Sequence, residues 1–414
     1  MPEISDTPDE ARVATAGRIM HAFAERTGLS DTSKPPQRYL WTDAFAVCNF
    51  FELQRRTADD AWRELALALI DQVHQVLGRH RPDDARRGWI SGLEEAEGAR
   101  HPTAGGLRIG KPLPERLPDE PHDAALEWER DGQYFHYLTK WMRALDCASR
   151  ATRVGRYREQ ALELAQVAHA RFTWAPPEGG PKRMVWKMSI DLTRPLVPSM
   201  GQHDPLDGLV TAWCLEASAA AAGVGASAAQ RLAAAIDDYA AMCAGMRFAT
   251  DDPLGLGGLL CDAGSLAQLA VDGPLEARRA QARGLLVRVL EDIAAGLPAW
   301  ASARPLARPA SQRLAFRELG LAIGLSALAG IEQRAAGIAR EPGAAVEVRR
   351  QLDGLAHYRP LAGAIESFWL DPQSRCAPTW GDHLDINEVM LATALVPDSF
   401  LVCASPPAGE GAAP

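Results

Sequence analysis

Three side chains that could carry acid–base chemistry stand together in the segment MGQHDPLDGLVT (200–211). His203, Asp204 and Asp207 directly precede an apolar helical pattern. An imidazole and two carboxyls at this spacing could exchange protons with a substrate. The same stretch also suits a helix start, with Asp204 as N-cap, Pro205 as the first helical residue and Asp207 beside the helix dipole. Both interpretations stay open.

The starts of other apolar helical segments carry similar groups. They read WTDAF (41–45), WERDGQYFHYL (128–138), DDPLGLGGL (251–259), FRELGL (316–321) and WGDHLDINEVM (380–390). Helix capping accounts for an acid at each start, but not for the tryptophans and histidines beside several of them. We therefore hypothesise that these starts meet at one site. Its candidate catalytic residues are Asp43, Asp131, His203, Asp204 and His383.

Aromatic rings at such a site would suit a sugar, because its apolar face stacks on a ring while its hydroxyls bind polar groups. The alternative is that the tryptophans only fill space. The candidate substrate-binding residues near the segment starts are Trp41, Trp128, Tyr134, Trp186, Asp207, Trp380 and Asp382. Arg108 and Lys111, in the loop GGLRIGKP (105–112), could bind an anionic group of the substrate or could simply be solvated.

Other kinds of site have weaker support. The loop GGLRIGKP has the glycine and lysine spacing of a phosphate-binding loop, but Pro112 replaces the hydroxyl residue that magnesium needs, and no strand precedes it. His203, His383 and the acids beside them have no established metal-ligand spacing, so we expect no metal and no cofactor. No G-x-S-x-G segment is present for a serine nucleophile. The seven cysteines include no C-x-x-C pair and predict reduced, mostly buried thiols.

The composition limits the class of protein. The 414 residues are 47% hydrophobic and 23% charged, with a formal net charge of -9. This acidic balance disfavours a nucleic-acid partner, which would favour a clustered basic surface. The polar, acidic start does not predict a signal peptide, and no uncharged apolar run is long enough for a membrane span. We therefore expect a soluble, cytoplasmic protein with a small-molecule substrate, no nucleic acid or membrane partner, and an undetermined oligomeric state.

Helical periodicity runs through the chain, and strand signals are nearly absent. Six amphipathic segments lie at 9–26, 58–78, 156–171, 228–247, 274–297 and 344–357. They alternate with six segments that are apolar on most sides, at 43–55, 129–148, 205–222, 256–272, 315–332 and 385–396. A helix that is apolar on most sides must be buried on most sides. The alternation predicts an all-α fold, an (α/α)6 barrel of six helical hairpins with the apolar helices as its inner ring.

This barrel is expected to form one domain over residues 1–403. Residues 79–127 are long and rich in proline, glycine and charge, which is typical of a lid or binding loop. We expect this segment to cover the funnel where the inner helices start. Residues 173–200 predict a second rim loop, and 404–414 predict a disordered tail.

The stretch YLWTDAFAVCNFFELQRRTADDAW (39–62) resembles the opening hairpin of the unsaturated glucuronyl hydrolases, in the six-hairpin glycosidase superfamily. The general plan and length also resemble the N-acylglucosamine 2-epimerases, which use histidines on inner helices as acid and base. Both resemblances imply an (α/α)6 barrel with carbohydrate chemistry. The blocks 89–116 and 199–211 match neither pattern, which favours a separate bacterial family within the superfamily.

The function that these patterns favour is hydrolysis of an oligosaccharide or a uronic-acid glycoside. One carboxyl, kept protonated by apolar surroundings, would donate to the glycosidic oxygen, and another would activate water or stabilise the cation. One alternative is a sugar epimerase or isomerase in which His203 and His383 exchange a proton on opposite ring faces. Another is a non-enzymatic α-toroid that binds a peptide or lipid partner, which would need an apolar funnel floor.

Overall fold

The computed structural model describes residues 7–31, 33–338 and 342–403, and this part of the chain is predominantly helical. In chain order the helices are α1 (Pro8–Arg26), α2 (Leu40–Thr57), α3 (Asp60–Leu77), α4 (Glu95–Arg100), α5 (Ala124–Glu129), α6 (Phe135–Thr152), α7 (Gly155–Phe172), α8 (Asp204–Ala221), α9 (Gly225–Cys243), α10 (Pro253–Asp272), α11 (Glu276–Ser302), α12 (Ala315–Ile338), α13 (Pro342–Leu355), α14 (Pro360–Leu370), α15 (Pro372–Arg375), α16 (Pro378–Gly381), α17 (Leu384–Leu395) and α18 (Asp398–Leu401). The short strands are β1 (Gln133–Tyr134), β2 (Thr173–Trp174), β3 (Arg183–Met184), β4 (Lys187–Met188) and β5 (Pro195–Val197). The prediction of an all-α fold is confirmed.

Six helices contact one another in a closed cycle. Helix α2 packs against α6, α6 against α8, α8 against α10, α10 against α12, α12 against α17, and α17 again against α2. Each of the six apolar segments of the sequence contributes one helix to this cycle. A second set packs on the first, with α3 on α2, α7 on α6, α9 on α8, α11 on α10, α13 and α14 on α12, and α1 on α17.

The burial of these helices follows from their residue pattern. In α8, every residue from 204 to 219 is buried, so the helix has no solvated face. In α3, by contrast, burial is confined to a stripe that contains Trp62, Leu69 and Val73. The uniformly apolar helices therefore form the interior, and the amphipathic helices cover it.

Helices α10 and α12 cross with their backbones in contact. A Cβ atom added at Gly257 would overlap the carbonyl group of Gly320 and lie 2.8 Å from the backbone nitrogen of Leu321. A Cβ atom added at Gly324 would lie 2.8 Å from the Cα atom of Gly257. Glycine at these positions is what allows the close crossing.

The predicted start of the second inner helix, at residue 129, is wrong. Helix α5 ends at Glu129, and α6 begins only at Phe135. Gly132 adopts a φ of 148°, and Gln133–Tyr134 pair antiparallel with Lys187–Met188. A pairing with residues far along the chain therefore interrupts the helical pattern, and Asp131 lies in the interruption rather than at a helix start.

Two further expectations concern membranes and the connecting segments. Over the described ranges, α10 alone is long and apolar enough to cross a membrane, but 67% of its most apolar stretch is buried. Such burial is typical of a core helix in a soluble protein. Segment 79–127 contains α4 and the first turn of α5 and is otherwise largely irregular, and segment 173–200 contains β2 to β5. The single domain and the lid stay predictions, and the predicted tail at 404–414 lies outside the described residues.

Candidate functional site

A narrow recess with about 40 Å³ of free space opens among the helices of the cycle. Its wall comes from α2, α6, α10, α12 and α17, together with the short helix α18. The lining residues are Trp41, Phe45, Lys140, Arg143, Leu254, Gly257, Gly258, Cys261, Asp262, Gly320, Ile323, Met390 and Phe400. This central recess is mostly apolar, but it holds three charged side chains, those of Lys140, Arg143 and Asp262.

Lys140 connects the central recess to helix α8 through an ion pair with Asp207. The Lys140 Nζ atom lies 2.8 and 2.9 Å from the two Asp207 carboxylate oxygens, and Thr139 donates a hydrogen bond of 2.5 Å to one of them. Burial opposes ionisation of Asp207, but the Lys140 charge and these hydrogen bonds outweigh it and hold its pKa below the ordinary value. Asp207 is therefore ionised at neutral pH.

Asp204 lies one helical turn before Asp207, so both carboxyls share one face of α8. The N-cap of α8 is His203, so the capping interpretation does not account for the Asp204 carboxyl. Its Oδ1 atom is 3.8 Å from His136 Nδ1, and its Oδ2 atom is buried without a hydrogen-bond partner. Burial, followed by the nearby charge of Asp207, raises the pKa of Asp204 to about 7. This carboxyl can hold or release a proton near neutral pH.

A second carboxyl with a raised pKa lies on the wall of the central recess. Asp262, in α10, makes no hydrogen bond or ion pair with any residue that the structure describes, although its side chain is buried. Burial, followed by the charge of Asp207, raises its pKa to about 7, while Lys140 and Arg143 act in the opposite direction. The site thus contains two carboxyls whose pKa values are raised to about 7 and which form no ion pair with a described lysine or arginine.

Five aromatic side chains, which we term the aromatic rim, pack together beside these carboxyls. The Trp41 ring lies 6.0 Å from that of His136 and 5.3 Å from that of Tyr137. The His136 ring stacks on Trp186 at 5.8 Å and on Tyr134 at 5.3 Å. Burial lowers the pKa of His136 to about 4, so its imidazole is neutral at pH 7. Its Nδ1 atom has no hydrogen-bond partner among the described residues.

The raised pKa of Asp262 predicts a specific dependence of stability on pH. Between about pH 4 and 7 the folded chain keeps a proton on Asp262 that the unfolded chain releases, so stability falls as the pH rises through this range. In Asp262→Asn the side chain cannot ionise, so this loss of folding stability between pH 4 and 7 is absent. We expect the variant and the wild type to be about equally stable at pH 4, and the variant to be more stable above pH 7, by a difference on the order of 4 kcal/mol.

Urea denaturation at several pH values measures this difference. The same exchange at Asp382, which is exposed, is the control and should leave the pH dependence unchanged. A difference between Asp262→Asn and the wild type that stays constant from pH 4 to 8 would contradict the assignment.

Two of the carboxyls predicted from sequence are buried in ion pairs with nearby arginines. Asp43 accepts hydrogen bonds from Arg38 at 3.3 Å and from the Tyr39 backbone at 2.9 Å, and burial raises its pKa to about 6 against the effect of Arg38. Asp131 accepts a hydrogen bond of 2.6 Å from Arg108. Arg108 also donates to two backbone carbonyls, so its guanidinium is used within the protein.

The predicted histidine pair does not lie in the central recess. The Nε2 atom of His203 is 2.8 Å from the carbonyl oxygen of Phe248, and burial lowers the pKa of this histidine. His383 and its neighbour Asp382 are exposed, with the His383 ring 5.5 Å from that of Phe316.

The remaining predicted binding residues lie either near the aromatic rim, as Trp128 does, or away from the lining of the central recess, as Lys111 and Trp380 do. Trp128 is 52% exposed and lies 5.0 Å from Trp186, so it extends the aromatic rim outward. Lys111 lies 5.7 Å from the centre of the Tyr39 ring. Trp380 is buried and stacks on Trp369 at 5.6 Å, outside the lining of the central recess. The structure therefore brings together Trp41, Tyr134, Trp186, Asp204 and Asp207 from the predicted set.

Four residues of the site were not predicted from sequence. They are His136, Lys140, Arg143 and Asp262. Lys140, Arg143 and Asp262 stand inside their helices rather than at a start. His136 is the second residue of α6 and lies within the segment WERDGQYFHYL, from which Trp128, Asp131 and Tyr134 were predicted instead. A charged residue isolated within an otherwise apolar helix, as in GGLLCDAGSL (257–266), was the signal that could have found Asp262.

Within the described ranges, no group of three or more His, Cys, Asp or Glu side chains is placed to hold a metal ion. No family model, curated protein or solved structure matches the sequence. The chemistry of the central recess is therefore the basis for a function.

Proposed function

We propose that the chain is a carbohydrate-active enzyme, a glycoside hydrolase built as an (α/α)6 barrel. The closed cycle of α2, α6, α8, α10, α12 and α17, with a second layer outside it, supports the barrel. The single observation that carries the enzymatic proposal is the pair of buried carboxyls, Asp204 and Asp262, which form no ion pair with a described lysine or arginine and whose pKa values are raised to about 7.

The surroundings of the two carboxyls assign them different roles. Asp262 is close enough to Lys140 and Arg143 for both positive charges to favour its ionised form. Asp204 is next to the negative charge of Asp207, which favours its protonated form. We assign Asp204 as the general acid, which gives its proton to the glycosidic oxygen as the bond to carbon breaks. Asp262 takes a proton from the water that attacks the anomeric carbon.

The aromatic rim supplies the part of the site that would bind a sugar. Trp41 lies on the wall of the central recess, and Trp186 and Trp128 continue the ring surface outward. Rings of this kind accept the apolar face of a pyranose, while hydroxyl groups reach the polar side chains within. A small neutral or acidic oligosaccharide is therefore the substrate class that we propose.

The site geometry gives less support to a sugar epimerase or to a purely binding toroid. An epimerase with His203 and His383 as its acid–base pair lacks support, because the His203 ring contacts the Phe248 carbonyl at 2.8 Å and His383 is exposed beside Phe316. A purely binding toroid would favour an apolar floor, whereas this recess contains Lys140, Arg143 and Asp262. All seven cysteines are free thiols, which fits the proposed location in the reducing cytoplasm.

The test is incubation of the purified chain with a panel of oligosaccharides and aryl glycosides, including uronic-acid glycosides. Release of a reducing sugar with incorporation of one oxygen atom from labelled water supports hydrolysis. Conversion of a sugar without loss of chain length and without oxygen incorporation would replace hydrolysis by epimerisation.

Gly258 offers a way to block the central recess without disturbing the protein. A Cβ atom added there meets no other atom within 4 Å, although the residue lies on the recess wall. We expect the leucine side chain of Gly258→Leu to fill part of the recess and to lower kcat/KM at least tenfold. The melting temperature should be equal to or above that of the wild type, because leucine favours a helix more than glycine does. Steady-state kinetics and thermal unfolding measure the two effects.

The control for this variant is Gly284→Leu, on α11, where an added Cβ atom also meets no other atom within 4 Å. That residue does not line the central recess. Full activity of Gly258→Leu would show that the substrate does not bind in the central recess.

A further inference from the structure

The last described residues, 398–403, lie between two cavities. Phe400 forms part of the wall of the central recess, and Val402 and Cys403 form part of the wall of a second, smaller cavity with about 10 Å³ of free space. Arg143 lines both cavities. We term residues 398–403 the C-terminal plug, because they contribute to the walls of both spaces.

The backbone of the C-terminal plug is bound by side chains from the helix cycle. Arg143 donates a hydrogen bond of 2.7 Å to the carbonyl of Phe400, and Gln268 donates one of 2.8 Å to that of Leu401. Arg150 donates one of 2.8 Å to the carbonyl of Val402. Three successive carbonyls are therefore bound by three side chains.

The same arrangement also binds a backbone donor. The Oε1 atom of Gln268 accepts a hydrogen bond of 3.0 Å from the Cys403 N–H. Gln268 thus engages both a carbonyl and an N–H of the plug, as a neighbouring strand would. We term Arg143, Arg150 and Gln268 the peptide seat. Because it contacts backbone groups, the seat would accept different side chains at most positions.

Side chains also anchor the plug. Asp398 pairs with Arg55 at 3.1 Å and Ser399 donates a hydrogen bond of 2.7 Å to Glu52, whereas Phe400 is the anchor that packs in the interior. The Phe400 ring stacks on Phe45 at 4.3 Å, and the Arg143 guanidinium lies 5.3 Å from its centre. Phe400 and Cys403 are buried, whereas Asp398 is exposed and Leu401 and Val402 are half-buried. An aromatic residue followed by two residues whose carbonyls accept hydrogen bonds from Gln268 and Arg150 is therefore the pattern that fits the seat.

The C-terminal plug has the features of a segment with low local stability. Its helix, α18, has only four residues, which is too short to be stable by itself. It is held by hydrogen bonds and by an exposed ion pair of Asp398, which water could replace, and Phe400 is its one large buried apolar side chain. Its departure would cost far less than unfolding of the helix cycle.

From these contacts we infer that the peptide seat is a binding site for peptides, occupied in cis by the C-terminal plug. A peptide with the aromatic–Leu–Val pattern of residues 400–402 binds the same seat in trans when the plug leaves. Release of the plug joins the central recess to the second cavity. This inference is independent of the proposed hydrolysis.

The experiment uses the full chain and the thiol of Cys403, which is buried while the plug is bound. The probe is the capped peptide of residues 397–405, with serine in place of cysteine, at about 5 mM, because it competes with a tethered segment. Iodoacetamide labels exposed thiols, and mass spectrometry gives the rate for each cysteine. We expect the peptide to accelerate labelling of Cys403 at least fivefold, with no change at Cys243, a buried thiol of α9.

Two controls make the result specific. The same peptide with alanine at the position of Phe400 should have little effect on labelling, because it lacks the anchor. In the full chain, Gln268→Leu should accelerate labelling of Cys403 about tenfold, because the plug loses two hydrogen bonds. An unchanged rate with the wild-type peptide, or equal acceleration of Cys403 and Cys243, would overturn the inference even if Gln268→Leu fails to fold.

Discussion

Replacement of Asp204 by asparagine should lower the rate of glycoside hydrolysis by about 10²- to 10⁴-fold, the range that general acid catalysis contributes. Asparagine has nearly the same shape as aspartic acid, but it has no proton to give to a leaving group. The carboxyl that it replaces forms no ion pair with a described lysine or arginine, and the amide oxygen of asparagine can still accept the hydrogen bond from the Gly201 backbone. We expect the melting temperature at pH 8 to be equal to or above that of the wild type, because the pKa of Asp204 is raised to about 7 and its ionised form is unfavourable in the folded chain.

Asp207→Asn is the matched variant, on the same face of α8. It removes the negative charge that favours protonation of Asp204 and releases Lys140 from its ion pair. Both changes lower the pKa of Asp204, so the alkaline limb of the kcat/KM profile should move to lower pH while substantial activity remains. Full activity of Asp204→Asn would show that Asp204 is not the general acid. An unchanged alkaline limb in Asp207→Asn would show that the charge of Asp207 does not set the pKa of the general acid.

The helices were predictable from sequence because the pattern of apolar and polar residues determines which faces of a helix are buried. A segment such as that of α8, apolar on every side, can be stable in water only inside other helices. The start of α6 was not predictable in this way. Gly132 and the pairing of Gln133–Tyr134 with Lys187–Met188 depend on a contact between distant parts of the chain, which a local pattern cannot contain.

The candidate site was predictable only in part, for a similar reason. Asp43, Asp131 and Asp204 look alike in sequence, since each is an acid beside aromatic or glycine residues. What distinguishes them is the position of cations. Arg38 and Arg108 neutralise the first two, whereas Asp204 has Asp207 as its charged neighbour. Chemistry depends on which carboxyl is left without a partner, and that is a property of the folded chain.

The second large effect is expected at Gly257, where α10 crosses α12. An added Cβ atom would overlap the carbonyl group of Gly320, and a backbone cannot move aside as a flexible side chain can. We expect Gly257→Ala to lower the free energy of unfolding by about 3 kcal/mol, because the two helices must separate to admit one methyl group. Urea denaturation measures this loss, and reduced activity should accompany it, since Gly257 and Gly320 both line the central recess.

The adjacent glycine separates this packing effect from a general effect of glycine on the helix. Gly258→Ala places a methyl group in open space, so the variant should gain up to about 1 kcal/mol from the better helix propensity of alanine. The two variants change the same residue type by the same atoms, one position apart, and we expect opposite signs. Equal effects would show that α10 and α12 can move apart freely, and a crossing that loose could not hold Asp262 of α10 at a fixed position in the central recess.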